Sequence, residues 1–416
     1  MVDVTQRHLE KIAVRDLLVG MYIARLDRPW AGTPFPVQGF HLESRDDIQI
    51  LRVHCDHVFV DHRRSKISRQ DKPADVDPRI VPLKIEYGVY DADYTPFKDE
   101  LGKAQRTYRA MSGLMVDTMT QVQAGGDLAF LALHRLAWKM VDGICRNPDV
   151  YAWAATVYDQ ETYAYRNEVR AGIRAVIMGR NIGLERDRLL VLMLGCLLAD
   201  IGKLRLPDEL LESSETLDTE ARDAIKQHVE LGVELLSNTV GIDREVITIV
   251  GAHHERHNGS GYPNGLEKSD IPLLARISGI AGYYEAITNP RPYHEEPLSP
   301  SEAMAMLHEL RGVEFQGQIV GEFIQAIGIY PTGSLVQLSN GDIAIVKERN
   351  VERRLKPIVM RILKPSGKYY VWRKVIDLEA EEEDSGSHTL EIAKSLSHGA
   401  YGVNSRALVR KPIFGF

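Results

Sequence analysis

The apolar positions of this chain change their period twice. Residues 8–62 hold short apolar runs separated by turn residues, IAVRDLLVGMYIARL, PFPVQGFHL and VHCDHVFVD, and the alternation and valine content of the last predict a strand. From about residue 98 the apolar positions recur every three or four residues, starting with FKDELGKAQRTYRAMSGLMVDTMTQVQAG, which stops at Gly125-Gly126. The same period predicts helices near 128–146, 151–158, 161–181, 185–201, 218–237, 243–254, 273–288 and 299–311. Several are apolar on more than one face, as expected of central members of a bundle. Near residue 330 alternation returns: GSLVQLSNGDIAIVKE reads as a hairpin about Asn340-Gly341, followed by the strand-like runs KPIVMRIL and KYYVWRKVIDL.

These shifts predict a multi-domain chain with a central all-α helical bundle, a small N-terminal mixed α/β module and a small C-terminal β-module. The boundaries fall at 1–67 for the N-terminal module, 68–97 for a linker containing SRQDKPADVDPR, and 98–150 for connecting helices. The main helical domain is expected over 151–329, the β-module over 330–377, and a partly disordered tail over 378–416 that opens on the acidic EAEEEDSGS.

Composition narrows the setting. The 416 residues carry a formal net charge of −7 with 26% charged residues, which gives no bulk reason to expect nucleic-acid or anionic-membrane binding. Cys55, Cys145 and Cys196 form no CxxC pair, and an odd, scattered set of thiols fits a reducing compartment rather than a disulfide framework. The N-terminal MVDVTQRHLEKIAV has no apolar signal core, and the longest apolar run, LLVLMLGCLLA at 189–199, is too short to span a bilayer. The expectation is a cytoplasmic protein with no membrane span and no nucleic-acid partner.

Four residues at helix ends and faces offer metal-ligand chemistry. His253 and His254 give paired imidazoles, His228 lies in the amphipathic EARDAIKQHVELGVELL, and Asp200 closes an apolar helix where a carboxylate needs a partner. Three imidazoles and a carboxylate suit iron, manganese or zinc. His257, in the following loop, is the weaker ligand candidate. The alternative is a hydrogen-bonded polar cluster with no metal.

The order DIGK, KQH, HHERHNGSGYPNGL, IPLLARI and NPRPY resembles the HD-GYP family, helical HD-superfamily phosphodiesterases that hydrolyse cyclic di-GMP. The resemblance covers roughly residues 152–329. Residues VRDLLVGMYIARLDRPW and VFVDHRR resemble the domain of unknown function that often precedes such domains, and GIYPTGSLVQLSNGDIAIV resembles a β-segment that follows them. The resemblance implies that Asp200, His228, His253 and His254 hold one divalent ion, with Asp200 and Lys203 catalytic if the centre works. It implies that Lys203 and Arg276 contact the phosphates of cyclic di-GMP, and that Gly261, Tyr262 and Pro263 form a loop implicated in contacts with GGDEF domains or other signalling proteins.

The chain departs from that family at one group of ligands. The positions matching an early histidine, the histidine of the His-Asp pair and a late aspartate are Asn167, Ala199 and Gly282. These would complete a second metal site, and none supplies the expected ligand. Glu295 and Glu296 replace the basic character expected after NPRPY. The expected function is therefore a degenerate HD-GYP protein of bacterial cyclic di-GMP signalling with absent or strongly reduced hydrolysis, acting through ligand or protein interaction. The alternative is an active phosphodiesterase with a reshaped site that yields linear pGpG or GMP. A third reading is a hydrolase of another phosphorylated substrate.

Overall fold

A computed structural model of the protein describes residues 9–28, 39–42, 45–66, 81, 83–157, 165–212, 218–289, 297–350, 353–380 and 390–403. The linker stretch 68–79, the pair Glu295 and Glu296, and the acidic run 381–384 lie outside these residues.

The N-terminal module comprises β1 (Leu9–Ala13), β2 (Tyr22–Leu26), β3 (Phe40–His41), α1 (Arg45–His54) and β4 (His57–Asp61). Its strands form one antiparallel sheet in the order β1-β4-β2-β3. Alternation in HVFVD sends Val58 and Val60 inward, where they join Ile23, Leu42, Ile48 and Leu51 in a core of their own.

The helical body follows as α2 (Phe97–Gln123), α3 (Phe130–Arg146), α4 (Pro148–Val157), α5 (Arg166–Asn181), α6 (Arg186–Leu198), α7 (Asp208–Glu212), α8 (Thr219–Lys226), α9 (His228–Ser237), α10 (Arg244–Ala252), α11 (Leu273–Thr288), α12 (Pro300–Glu309) and α13 (Gly317–Ile327). Helix α6 is its axis: Leu189, Leu192, Met193, Leu197 and Leu198 are fully buried, each contributing about 2 kcal/mol of apolar burial. Helices α2 and α3, expected as connectors, bury Tyr108, Met111, Met115, Leu133 and Met140 in this same core. They belong to the bundle. The expected 218–237 helix is two helices meeting at Gln227, and α13 is a helix the periodicity did not reveal.

The chain ends in β5 (Leu335–Leu338), β6 (Ile343–Glu348), β7 (Ile358–Leu363), β8 (Val375–Asp377) and β9 (Ile392–Leu396), an antiparallel sheet ordered β8-β7-β6-β5-β9. Both faces are buried. Leu335, Ile343, Ile345 and Met360 extend the bundle core, while Val336, Ala344, Val346 and Val359 make a separate one. The β5–β6 connection runs through four residues, with Leu338 N–H donating to the Asp342 carbonyl and only Gly341 at positive φ (83°). It is the hairpin expected about Asn340-Gly341, closed by the Leu338–Asp342 pair. Strand β9 pairs with β5, so the sheet draws on residues expected to be tail.

The N-terminal module meets the bundle through α1. Asp47 lies 3.5 Å from the Arg311 guanidinium, and the His54 ring lies 6.1 Å from that of Tyr87, whose hydroxyl donates to the buried Glu322 of α13 at 2.8 Å. No helix among the described residues is long and apolar enough to cross a membrane.

Candidate metal centre

Three helix ends converge. Helix α6 finishes at Leu198, and Asp200 (φ −99°, ψ 10°) turns the chain into a 3₁₀ segment, Ile201–Arg205. Gly202 permits this turn to lie on α9, because a Cβ at that position would collide with the backbone carbonyl of His228. His228 opens α9, His253 follows the last residue of α10, and His254 comes next.

One ligand atom from each of Asp200, His228, His253 and His254 lies within 4.8 Å of the others. His228 Nε2 is 3.1 Å and His253 Nε2 3.9 Å from Asp200 Oδ1. The opposite ring nitrogens are committed elsewhere. His228 Nδ1 faces the Ile225 carbonyl at 2.7 Å and His253 Nδ1 the Val250 carbonyl at 2.8 Å. Donation of Nδ1–H to a carbonyl leaves each Nε2 lone pair aimed at the centre, the arrangement that orients metal-bound histidines.

Electrostatics keeps the donors in ligand form. Burial pulls the His253 pKa down to about 4, and burial with the adjacent His253 pulls His254 well below the usual range, so both rings are neutral near pH 7. Burial works against charge on Asp200, but the Lys203 ammonium 2.8 Å from Oδ2, together with His228, outweighs it and holds the carboxylate well below its ordinary pKa.

Asp200 Oδ1, His228 Nε2 and His253 Nε2 are buried, with no hydrogen-bond partner among the described residues. Three lone-pair atoms facing one point, two of them 3.1 Å apart, need a cation or a proton between them. The donor set fits one first-row divalent ion.

The loop after His254 is folded back on the site. Tyr262 stacks on the His254 ring with centroids 4.6 Å apart, and Glu255 accepts from the Asn264 and Leu266 N–H groups at 2.8 and 2.9 Å. A side chain at Gly261 would strike the backbone of Glu255 and Arg256. The Tyr262-Pro263 bond is cis, and Pro263, Asn264 and Gly265 are exposed.

Other expected residues stand differently. The Arg276 guanidinium donates to Gln316 at the start of α13, and burial lowers its pKa to about 10; its observed partner is structural. His257 is buried, and its backbone N–H is held by the Glu314 carbonyl. Asn167 sits on α5 with a buried Oδ1 that has no partner among the described residues, Ala199 is the C-cap of α6, and a Cβ at Gly282 would meet nothing within 4 Å. One and two turns beyond Asn167, Arg170 and Arg174 of α5 reach the buried Glu285 of α11, one turn beyond Gly282, at 3.0 and 2.7 Å. Sequence reading missed that ion cluster, although the four-residue spacing of the two arginines puts them on one helix face.

Residues 157–319 match the family model described as HD domain, and residues 9–132 match that of a domain of unknown function, DUF3391. A cyclic di-GMP phosphodiesterase of Pseudomonas aeruginosa is 27% identical over 372 residues, spanning 89% of this chain and 89% of that protein. The cyclic di-GMP phosphodiesterase response regulator RpfG of Xanthomonas campestris is 32% identical over 152 residues, 36% of this chain and 40% of its own. Among solved structures, an HDG"Y"P protein from Bdellovibrio bacteriovorus aligns at 17% identity and a TM-score of 0.46, covering 76% of this chain and 98% of that one.

Proposed function

We propose that this chain, an HD domain behind a DUF3391 domain, serves cyclic di-GMP signalling with a metal centre reduced to one ion and with hydrolysis absent or strongly impaired. The observation that carries the reading is the asymmetry of the donors. Asp200, His228, His253 and His254 converge within 4.8 Å, whereas Ala199 and Gly282 offer no ligand atom and Asn167 only an amide.

Iron, manganese or zinc held by the four residues would supply Lewis-acid polarisation of a phosphate and acidify a bound water. The protein's own part is binding and orientation. The carbonyls of Ile225 and Val250 fix two imidazoles, Tyr262 fixes the third, and Asp200 divides its oxygens between the histidines and Lys203. Lys203, about one-third exposed, presents an ammonium to an anionic cyclic dinucleotide beside the ion. Without a second ion, the bridging of a nucleophile and much of the transition-state charge stabilisation are lost, a deficit of several kcal/mol.

The exposed side of the GYP loop is the surface we assign to a protein partner of the GGDEF type. The three buried, unpaired cysteines fit the reducing cytoplasm.

A second reading, an active phosphodiesterase, is favoured by similarity to the Pseudomonas aeruginosa enzyme across 89% of the chain. Pure protein reconstituted anaerobically with iron or manganese separates the two. The expected result is intact cyclic di-GMP with metal confirmed on the protein; accumulation of linear pGpG or GMP, abolished by His254→Ala, would establish the second reading.

A further inference from the structure

The β7–β8 connection, KPSGKYYVWRK at 364–374, holds four cations and no carboxylate in a chain whose net charge is −7. Its backbone is fixed at both ends. Lys364 N–H donates to the Lys368 carbonyl at 2.9 Å, Tyr370 N–H to the Ile362 carbonyl at 2.8 Å, and Arg361 N–H to the Lys374 carbonyl at 3.1 Å. Tyr370 points inward, its hydroxyl donating to the buried Asp342 at 2.9 Å, and Arg361 pairs with the same carboxylate at 2.7 Å. Between the two anchored points the chain leaves the sheet. Val371 is 84% and Trp372 82% exposed, with Tyr369 beside them 44% exposed.

An exposed valine–tryptophan pair on an anchored loop is costly to leave in water and marks an interaction site. We propose that this tip is a peripheral docking site for an anionic lipid bilayer. Trp372 and Tyr369 supply amphipathic rings of the kind that settle at headgroup level, Val371 adds apolar depth, and Lys364, Lys368, Arg373 and Lys374 meet the anionic headgroups. Val371 offers nothing to base stacking or phosphate binding, which favours lipid over nucleic acid. The site is independent of the metal centre.

The test is co-sedimentation of the full chain with vesicles of phosphatidylglycerol and phosphatidylcholine in equal parts, and with phosphatidylcholine alone. The expected result is binding to the anionic vesicles that weakens with salt and falls at least about tenfold in Val371→Ser/Trp372→Ser and in Lys364→Glu/Lys368→Glu, with unchanged melting curves. Absence of wild-type binding at low salt would overturn the proposal, as would equal binding by the variants. Vesicle-independent dimerisation, or single-stranded oligonucleotide binding that the same variants abolish in place of lipid binding, would assign the tip to a second copy or to nucleic acid and overturn it too.

Discussion

His228 Nε2 stands 3.1 Å from Asp200 Oδ1, while its other ring nitrogen faces the Ile225 carbonyl at 2.7 Å. With Nδ1–H donated to that carbonyl, an acceptor nitrogen faces an acceptor oxygen, and a bound cation resolves the conflict. Elemental analysis of the purified protein is expected to give one divalent ion per chain, and close to none in His228→Ala or Asp200→Ala. Chelation is expected to lower the melting temperature, since an ion at about a hundredfold above its Kd stabilises the fold by about 2.7 kcal/mol. Two tightly held ions per chain would contradict the asymmetric centre.

Gly202 makes the Asp200–His228 approach possible. A methyl group there would press on the His228 backbone, where no flexible side chain can yield. Gly202→Ala is expected to cost about 1–3 kcal/mol and to weaken metal retention together with stability. Denaturant titration with parallel metal analysis checks it; loss of stability with full metal occupancy would show that the turn relaxes without moving Asp200.

The sequence made this centre legible because its ligand-type residues sit at the ends and faces of strongly periodic helices, where local pattern fixes which side chains point inward. Other features left weaker marks. Helix α13 opens on Gly317, carries Gly321 inside and stops at Gly328, so its period is hard to separate from loop. Strand β9 pairs with β5 more than fifty residues upstream, and no local property of Ile392–Leu396 specifies that partner. Arg276 donates to Gln316, a contact set by tertiary packing that no local pattern announces. The asymmetry at Asn167, Ala199 and Gly282 was readable only through family resemblance, since alanine and glycine carry no chemical signal of their own.

Glu322 couples the junction between α1 and α13 to pH. Burial pushes its pKa up from 4.5 to about 7, against the opposing pull of the Tyr87 hydroxyl, so the folded state binds more protons than the unfolded state between those values. Stability from this group is complete below pH 4.5 and is lost as pH rises through 7. His54, pulled down to about 4 by burial, acts in the opposite sense, losing stability as pH falls from 6.5. Glu322→Gln keeps an acceptor for Tyr87 and removes the ionisation. Between pH 6 and 8 the wild type is expected to lose about 1 kcal/mol more than this variant. Parallel pH profiles in urea titrations would exclude the assignment.

Gly282 offers the most direct test of the proposal that a second metal site is lacking and that its lack limits hydrolysis. Its φ is not positive, and a Cβ there meets nothing within 4 Å, so a side chain can leave the backbone on α11 without a clash at its first atom. Gly282→Asp alone is expected to change stability by no more than about 1 kcal/mol, because the residue is exchanged within a helix without a clash. Combined with Asn167→His and Ala199→His it restores the ligand types expected of a second site. The triple variant is expected to hold two ions and to hydrolyse cyclic di-GMP about a hundredfold or more faster than the wild type, since recovered charge stabilisation is worth several kcal/mol. Metal stoichiometry and product chromatography on the same samples read the two effects separately. Two ions without hydrolysis would mean that the substrate contacts have diverged along with the ligands, and would place the protein's role in binding alone.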